Sequence, residues 1–152
     1  MRDLINQVLD LAKVKKVTYA DIRVVHRQFE EIVVKNGKVD ALTRDEDLGF
    51  GIRVLFQGAW GFACSSKTTK TEMEKTLDRA WKIARESSKI KEKEILIPAG
   101  PGVVARYQTP FAVDPLGVPI EQKIRLLLES DALLRRNPKV KISEAFLGAY
   151  AN

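Results

Sequence analysis

His26 is the only imidazole in the chain and Cys64 the only thiol. A catalytic zinc needs about three protein ligands, so this pair cannot build one without carboxylate help. A serine or cysteine nucleophile needs a base within hydrogen-bond reach, and His26 stands beside Arg27 with no serine nearby. His26 is therefore read as a half-exposed strand residue. Cys64 falls at an inward position of a hairpin and is read as a buried small hydrophobe. One cysteine excludes a disulfide within the chain. The triplet Asp45-Glu46-Asp47 could attract a hard cation. It lacks both the alternating spacing and the distant bidentate acid of a calcium loop, and reads as a solvated turn. Gly100-Pro101-Gly102 has neither the Lys-Ser/Thr pair nor the strand-to-helix setting of a phosphate cradle. Residue types and spacing thus assign no catalytic, cofactor-binding or metal residue.

The elements that would position these side chains centre on Leu48 to Cys64. Leu48, Phe50, Ile52, Val54 and Phe56 occupy alternate positions, which is a strand with one buried face. Gln57-Gly58 supplies a turn, and Trp60, Phe62 and Cys64 resume the alternation as the inward side of a second strand. Gly49, Gly51 and Gly61 leave the other face nearly bare, as packing against a helix or another backbone requires. Upstream, Leu4, Ile5, Val8, Leu9 and Ala12 lie at helical spacing with Asp3 as the expected cap. A strand follows from Ala20 to Val34, then the hairpin signal Asn36-Gly37, and a return strand from Val39 to Thr43. With the acidic triplet as a turn, these make a four-stranded antiparallel meander. A second helix is expected over 71–87, capped by Thr69 with Glu72, its stripe formed by Met73, Leu77, Ala80, Trp81 and Ala84. Trp60 and Leu77 are expected to meet in the core between hairpin and helix.

The fold class is α+β: helix, four-stranded antiparallel meander, helix, then a linker, a third helix and a terminal strand. Residues 1–90 are expected to form a two-layer domain and 91–118, rich in Pro and Gly, an extended connection. Pro119 opens the third helix, where Ile120, Ile124, Leu127, Leu128 and Leu134 supply the apolar face. Asn137-Pro138 stops it, and Val140, Ile142 and Ala145 to Tyr150 form the last strand. Residues 119–152 read as the beginning of a second, truncated domain.

At 152 residues, with 45% hydrophobic and 30% charged side chains, the chain can bury a core of its own. No run approaches the roughly 20 apolar residues of a membrane helix and no apolar signal region is present, so the expectation is a cytoplasmic protein without a membrane partner. The net charge of +6 raises nucleic acid as a partner. The cations alternate with acids, as in Lys89-Ile90-Lys91-Glu92-Lys93-Glu94, and no aromatic platform accompanies them; the composition reads as solvated surface and argues against nucleic acid.

Several of these stretches together resemble the N-terminal domain of the TldD/PmbA family, formerly described as modulators of DNA gyrase and regarded as zinc metallopeptidases. They are YADIRV from Tyr19, the hairpin KNGKVDAL, GFGIRVLFQGAWGFACSS, the helix ending RAWKIAR, and Asp114-Pro115 followed by PIEQKIRLLLESDALLRRNPKVK. GAWGFA is similar to the TldD-type subunit, the one that carries the metal. The resemblance implies proteolysis of small or unfolded peptides by a homo- or heterodimer. It implies zinc held by an HExxxH helix and further ligands in a C-terminal domain. This chain contains no HExxxH. No catalytic or metal residue carries over; zinc is expected in the C-terminal domain, and the chain alone is expected to be inactive. A stand-alone peptide-binding or scaffolding module, using an exposed strand edge, is the alternative. A basic accessory of gyrase or nucleic acid is a further one.

Overall fold

A computed structural model describes residues 1–98 and 104–152. The elements run α1 (Arg2–Val14), β1 (Tyr19–Lys35), β2 (Lys38–Phe56), β3 (Ala59–Ser65), α2 (Lys70–Ser88), α3 (Ile120–Leu134) and β4 (Glu144–Ala151). The fold class is α+β, and the sheet has four strands in the order β3-β2-β1-β4. The chain divides into two units. One contains Met1–Val25 and Leu48–Val104, the other His26–Asp47 and Ala105–Asn152, so β1 and β2 contribute to both.

In the first unit, Phe50, Ile52 and Val54 of β2 point into a core with Val8 and Ala12 of α1 and Met73, Leu77, Ala80 and Ala84 of α2. Each large aliphatic side chain buried this way contributes about 1.5–3 kcal/mol. Thr69 caps α2, its hydroxyl accepting from the Glu72 amide at 3.4 Å. Gln57 and Gly58 turn the chain with φ of 45° and 70°, a conformation that suits a tight hairpin. Val54 stands opposite Gly61 and Ile52 opposite Ala63. These small residues therefore share the core-facing side of the hairpin. A methyl group on Gly61 would collide with the backbone of Ala80 and Ala84, so helix and strand touch main chain to main chain.

This corrects the inward side of β3. Trp60 and Phe62 lie on the face away from α2, and Cys64 beside them is exposed rather than buried. Large apolar side chains there would hold the helix off; small ones let it approach. Asp3 lies in the first turn of α1, where its charge suits the dipole, while the N-cap is Met1 without a side-chain bond.

The second unit packs Ile32 and Val34 of β1 against Leu127 of α3, with Ile120, Ile124, Leu128, Ala145 and Leu147 around them. β1 and β4 run antiparallel from Gln28 opposite Ala151 to Lys35 opposite Glu144. Asn36 and Gly37 form the expected positive-φ turn, at 49° and 80°. The fourth strand of the sheet is consequently β4. Asp45-Glu46-Asp47 is not a turn, because β2 runs unbroken from Lys38 to Phe56. Alternate carboxylates project to solvent from a strand as readily as from a turn, so charge alone did not end it. The last strand begins at Glu144, later than the apolar Val140 and Ile142 suggested, because Asn137 to Val140 close a turn through a 2.9 Å backbone bond. Leu134 is exposed, and α3 instead buries Lys123 and Asp131 on either side of Leu127, one turn apart each way.

Candidate functional site

The side chains weighed for chemistry are placed as follows. His26 and Glu46 bond to one another, and both are more than half exposed. Cys64 is exposed on β3. Gly100-Pro101-Gly102 lies outside the described residues. Among the described residues no three His, Cys, Asp or Glu side chains are placed to hold a metal. The described residues therefore do not fit a zinc centre.

Two other clusters concentrate the polar chemistry. In the first unit, Tyr19, Asp21, Arg53 and Trp60 assemble on the sheet face away from the helices. The Arg53 guanidinium donates twice to the Asp21 carboxylate, at 2.8 and 2.6 Å. Its carbon lies 4.7 Å from the Trp60 ring centre and 6.0 Å from that of Tyr19. The two rings meet edge to face at 5.8 Å. Hydrogen bonding to Asp21 raises the Arg53 pKa further, so the group is a permanent cation. Phe62, opposite Arg53 in the register, extends the patch and is 57% exposed. This arrangement can stack against planar or extended groups.

In the second unit the clusters are buried. Lys123 Nζ donates to Glu30, both side chains are at most 5% exposed, and Arg44 approaches the same carboxylate at 3.6 Å. Asp131 accepts from the Ser143 hydroxyl at 2.6 Å and from Arg135 at 2.7 Å. The Ser143 bond is the main reason its carboxyl titrates below the usual range, with Arg135 and the Gly37 amide adding to it. Asn36 closes the circuit, its side-chain oxygen accepting from the Ser143 amide at 2.9 Å. These bonds fix the 36–37 turn, the end of α3 and the start of β4 to one another. Beside them, Val118, Gln122, Leu126, Leu147 and Gly148 line an open cleft of about 540 Å³.

Glu30, Lys123, Asp131 and Ser143 were missed from sequence. A signal existed: 123, 127 and 131 form one stripe of α3, and a charged residue at each end of that stripe breaks an otherwise apolar face.

These features define a class: an α+β domain with an aromatic–arginine cluster on one sheet face and buried ion pairs, in which the described residues form no three-ligand metal cluster. Residues 20–84 match the family described as PmbA/TldA metallopeptidase domain 1. A metalloprotease of Methanocaldococcus jannaschii is 30% identical over 127 residues, covering 81% of this chain and 28% of that protein. A metalloprotease of Methanothermobacter thermautotrophicus is 38% identical over 55 residues, or 36% of this chain and 12% of that one. This chain thus spans well under a third of those relatives. Among solved structures, TldE from Thermococcus kodakarensis superposes with a TM-score of 0.69 at 13% identity, over 97% of this chain and 33% of that one. A protein of Bacteroides thetaiotaomicron described as a modulator of DNA gyrase gives 0.75 at 12% identity, over 98% and 34%. At such identities the structural likeness concerns the fold alone. Sequence and fold together bear out the resemblance: the chain carries a TldD/PmbA-type N-terminal domain.

Proposed function

We propose that this chain is the non-catalytic N-terminal domain of a TldD-like zinc metallopeptidase subunit that processes small or unfolded peptides. Its part is to contribute to the dimer interface and to the substrate chamber. The observation that carries this reading is the match of residues 20–84 to domain 1 of a metallopeptidase, in a chain whose described residues offer no metal-ligand cluster. Zinc is then held by residues outside this sequence. Gly58-Ala59-Trp60-Gly61-Phe62-Ala63 favours the TldD-type subunit over its partner type. The structure gives that stretch two jobs, close packing through Gly61 and surface aromatics through Trp60 and Phe62. No described helix is long and apolar enough to cross a membrane, in keeping with a cytoplasmic setting for such an enzyme.

The test is the intact mass and zinc content of the native product in its source cells. The expected product is several-fold heavier than 17.1 kDa and contains zinc. A native product of 17.1 kDa without metal overturns the reading and leaves a binding or scaffolding role.

A further inference from the structure

We propose that the face of β1 and β4 away from α3 is a binding site for an extended polypeptide carrying a lysine or arginine, the peptide pairing with the free edge of β4 and its cation settling over Gly148 against Glu31. The inference goes beyond the peptidase reading and does not depend on it, since binding here needs no zinc.

Register places the parts. Ile32, Val34, Ala145 and Leu147 pack with α3, so the residues between them face the other way. Directly opposite residues of an antiparallel pair share a face, and on this outer face Val33 stands opposite Phe146, Glu31 opposite Gly148 and Phe29 opposite Tyr150. Glu31 thus belongs to the middle row, between one apolar and one aromatic row. Phe146 and Tyr150 are 66% and 74% exposed, whereas Glu31 is half-buried.

Charge decides what this face takes. The cations at its two ends are engaged, Lys35 with Glu144 at 3.7 Å and Arg27 with the side-chain oxygen of Asn152 at 3.2 Å. Glu31 forms no ion pair among the described residues. A half-buried carboxylate beside aromatic rings favours a cation twice over, through its own charge and through the negative faces of the rings. Between Glu31 and the sheet edge stands only Gly148, where even a methyl group would come 3.3 Å from the Phe146 ring. The row over Gly148 is therefore open from Glu31 outward, with Phe146 on one side and Tyr150 on the other.

The edge itself supplies main-chain partners. The Asn36 amide donates to the Ser143 carbonyl at 3.0 Å, so Ser143 and every second residue after it turn their backbone groups toward β1. Glu144, Phe146, Gly148 and Tyr150 turn theirs outward, and β4 is the last strand of the sheet on that side. An added strand would lie about 4.8 Å beyond β4, which puts its residue opposite Gly148 about 10 Å from Glu31 between α-carbons, within the joint reach of a glutamate and a lysine or arginine. The residues before and after that one turn to the other face, where the cleft beside Leu147 has room for apolar side chains. A glutamate opposite Gly148 would repel Glu31, and an alkyl chain would leave it without a partner.

The test is a nuclear magnetic resonance titration of the full chain with a blocked peptide of about seven residues, in which valines flank a central lysine and threonines lie beyond them. The amide signals of Glu144, Phe146, Gly148 and Tyr150 are expected to move. The lysine peptide is expected to bind about tenfold more tightly than the same peptide with norleucine or glutamate at its centre. Glu31→Gln is expected to abolish that preference, and Glu31→Lys to transfer it to the glutamate peptide. Equal affinity of the three peptides for the wild type, a preference that survives Glu31→Gln, shifts confined to residues outside β4, or no binding at millimolar peptide each overturn the proposal. None of these outcomes alters the native mass or zinc content, on which the peptidase reading stands or falls.

Discussion

The two units close their helix–sheet layers by opposite means. In the first, α2 lies on Gly61, and Ala80 and Ala84 are buried beside Met73 and Leu77; contact is apolar and close. In the second, α3 lies on Ile32 and Val34 but flanks Leu127 with Lys123, bonded to Glu30 of β1, and Asp131, bonded to Ser143 just ahead of β4. Apolar closure tolerates small errors of placement, since dispersion is non-directional. Ionic closure tolerates few, because an unpaired charge in that position has no water to turn to. The second unit is thereby held to one register, at the cost of desolvating its ions.

The comparison breaks most clearly at Lys123. Lys123→Met leaves Glu30 buried with Arg44 as its remaining cation, and is expected to cost about 3–5 kcal/mol in chemical denaturation. Glu30→Leu/Lys123→Met is expected to recover most of that loss, as an apolar layer like that of the first unit would. If the double variant is as unstable as the single one, the pair is not acting as a desolvated ion pair. Leu77→Ala in the first unit is expected to cost about 2–5 kcal/mol, since the residue is 1% exposed and a cavity would remain. Near-neutral melting would remove it from the core. Trp60→Ala is expected to cost only about 1 kcal/mol, from lost contact with Arg53 and Tyr19. A loss as large as that of Leu77→Ala would place Trp60 back under the helix.

The smallest effect sharpens the contrast through pH. The Asp131 carboxyl titrates below its ordinary value, first because Ser143 donates to it. A depressed carboxylate contributes stability that is present above the unfolded value of about 3.9 and is lost as pH falls through the lower folded value. The gap in melting temperature between the wild type and Asp131→Asn is therefore expected to be widest near pH 6–7 and to narrow on acidification below about pH 4. A gap independent of pH would mean that the charge of Asp131 is not what matters.

The same contrast explains what was legible in the sequence. The period of two from Phe50 to Phe56, the Asn36-Gly37 turn and the Thr69–Glu72 cap are local signals, and each lies where its residues indicated, although Leu48, read as part of the same buried face, is exposed. Which side of β3 faces inward was not local. Trp60 and Phe62 are the larger residues, and only the presence of α2 at van der Waals distance makes Gly61 and Ala63 the inner pair. Likewise Lys123 and Asp131 look like solvent residues until Glu30 and Ser143 are brought to them from distant parts of the chain. The membership of β4 in the sheet could not be read from its eight residues, because its partner strand begins the other end of the sequence. Nor did Asp45-Glu46-Asp47 reveal a strand, since its charges suited either conformation.

The pairing of β1 with β4 also has a consequence for how the chain is made. Asn36 and Ser143, bonded at the start of that ladder, are 107 residues apart, whereas β2, β3 and α2 come from one continuous stretch. On a ribosome the hairpin and its helix can assemble early, while Gln28 to Lys35 wait with one edge bare until Glu144 to Ala151 have been made. Nascent chains halted before Glu144 would expose that edge, and with it Ile32 and Val34, to any chaperone or stray strand within reach.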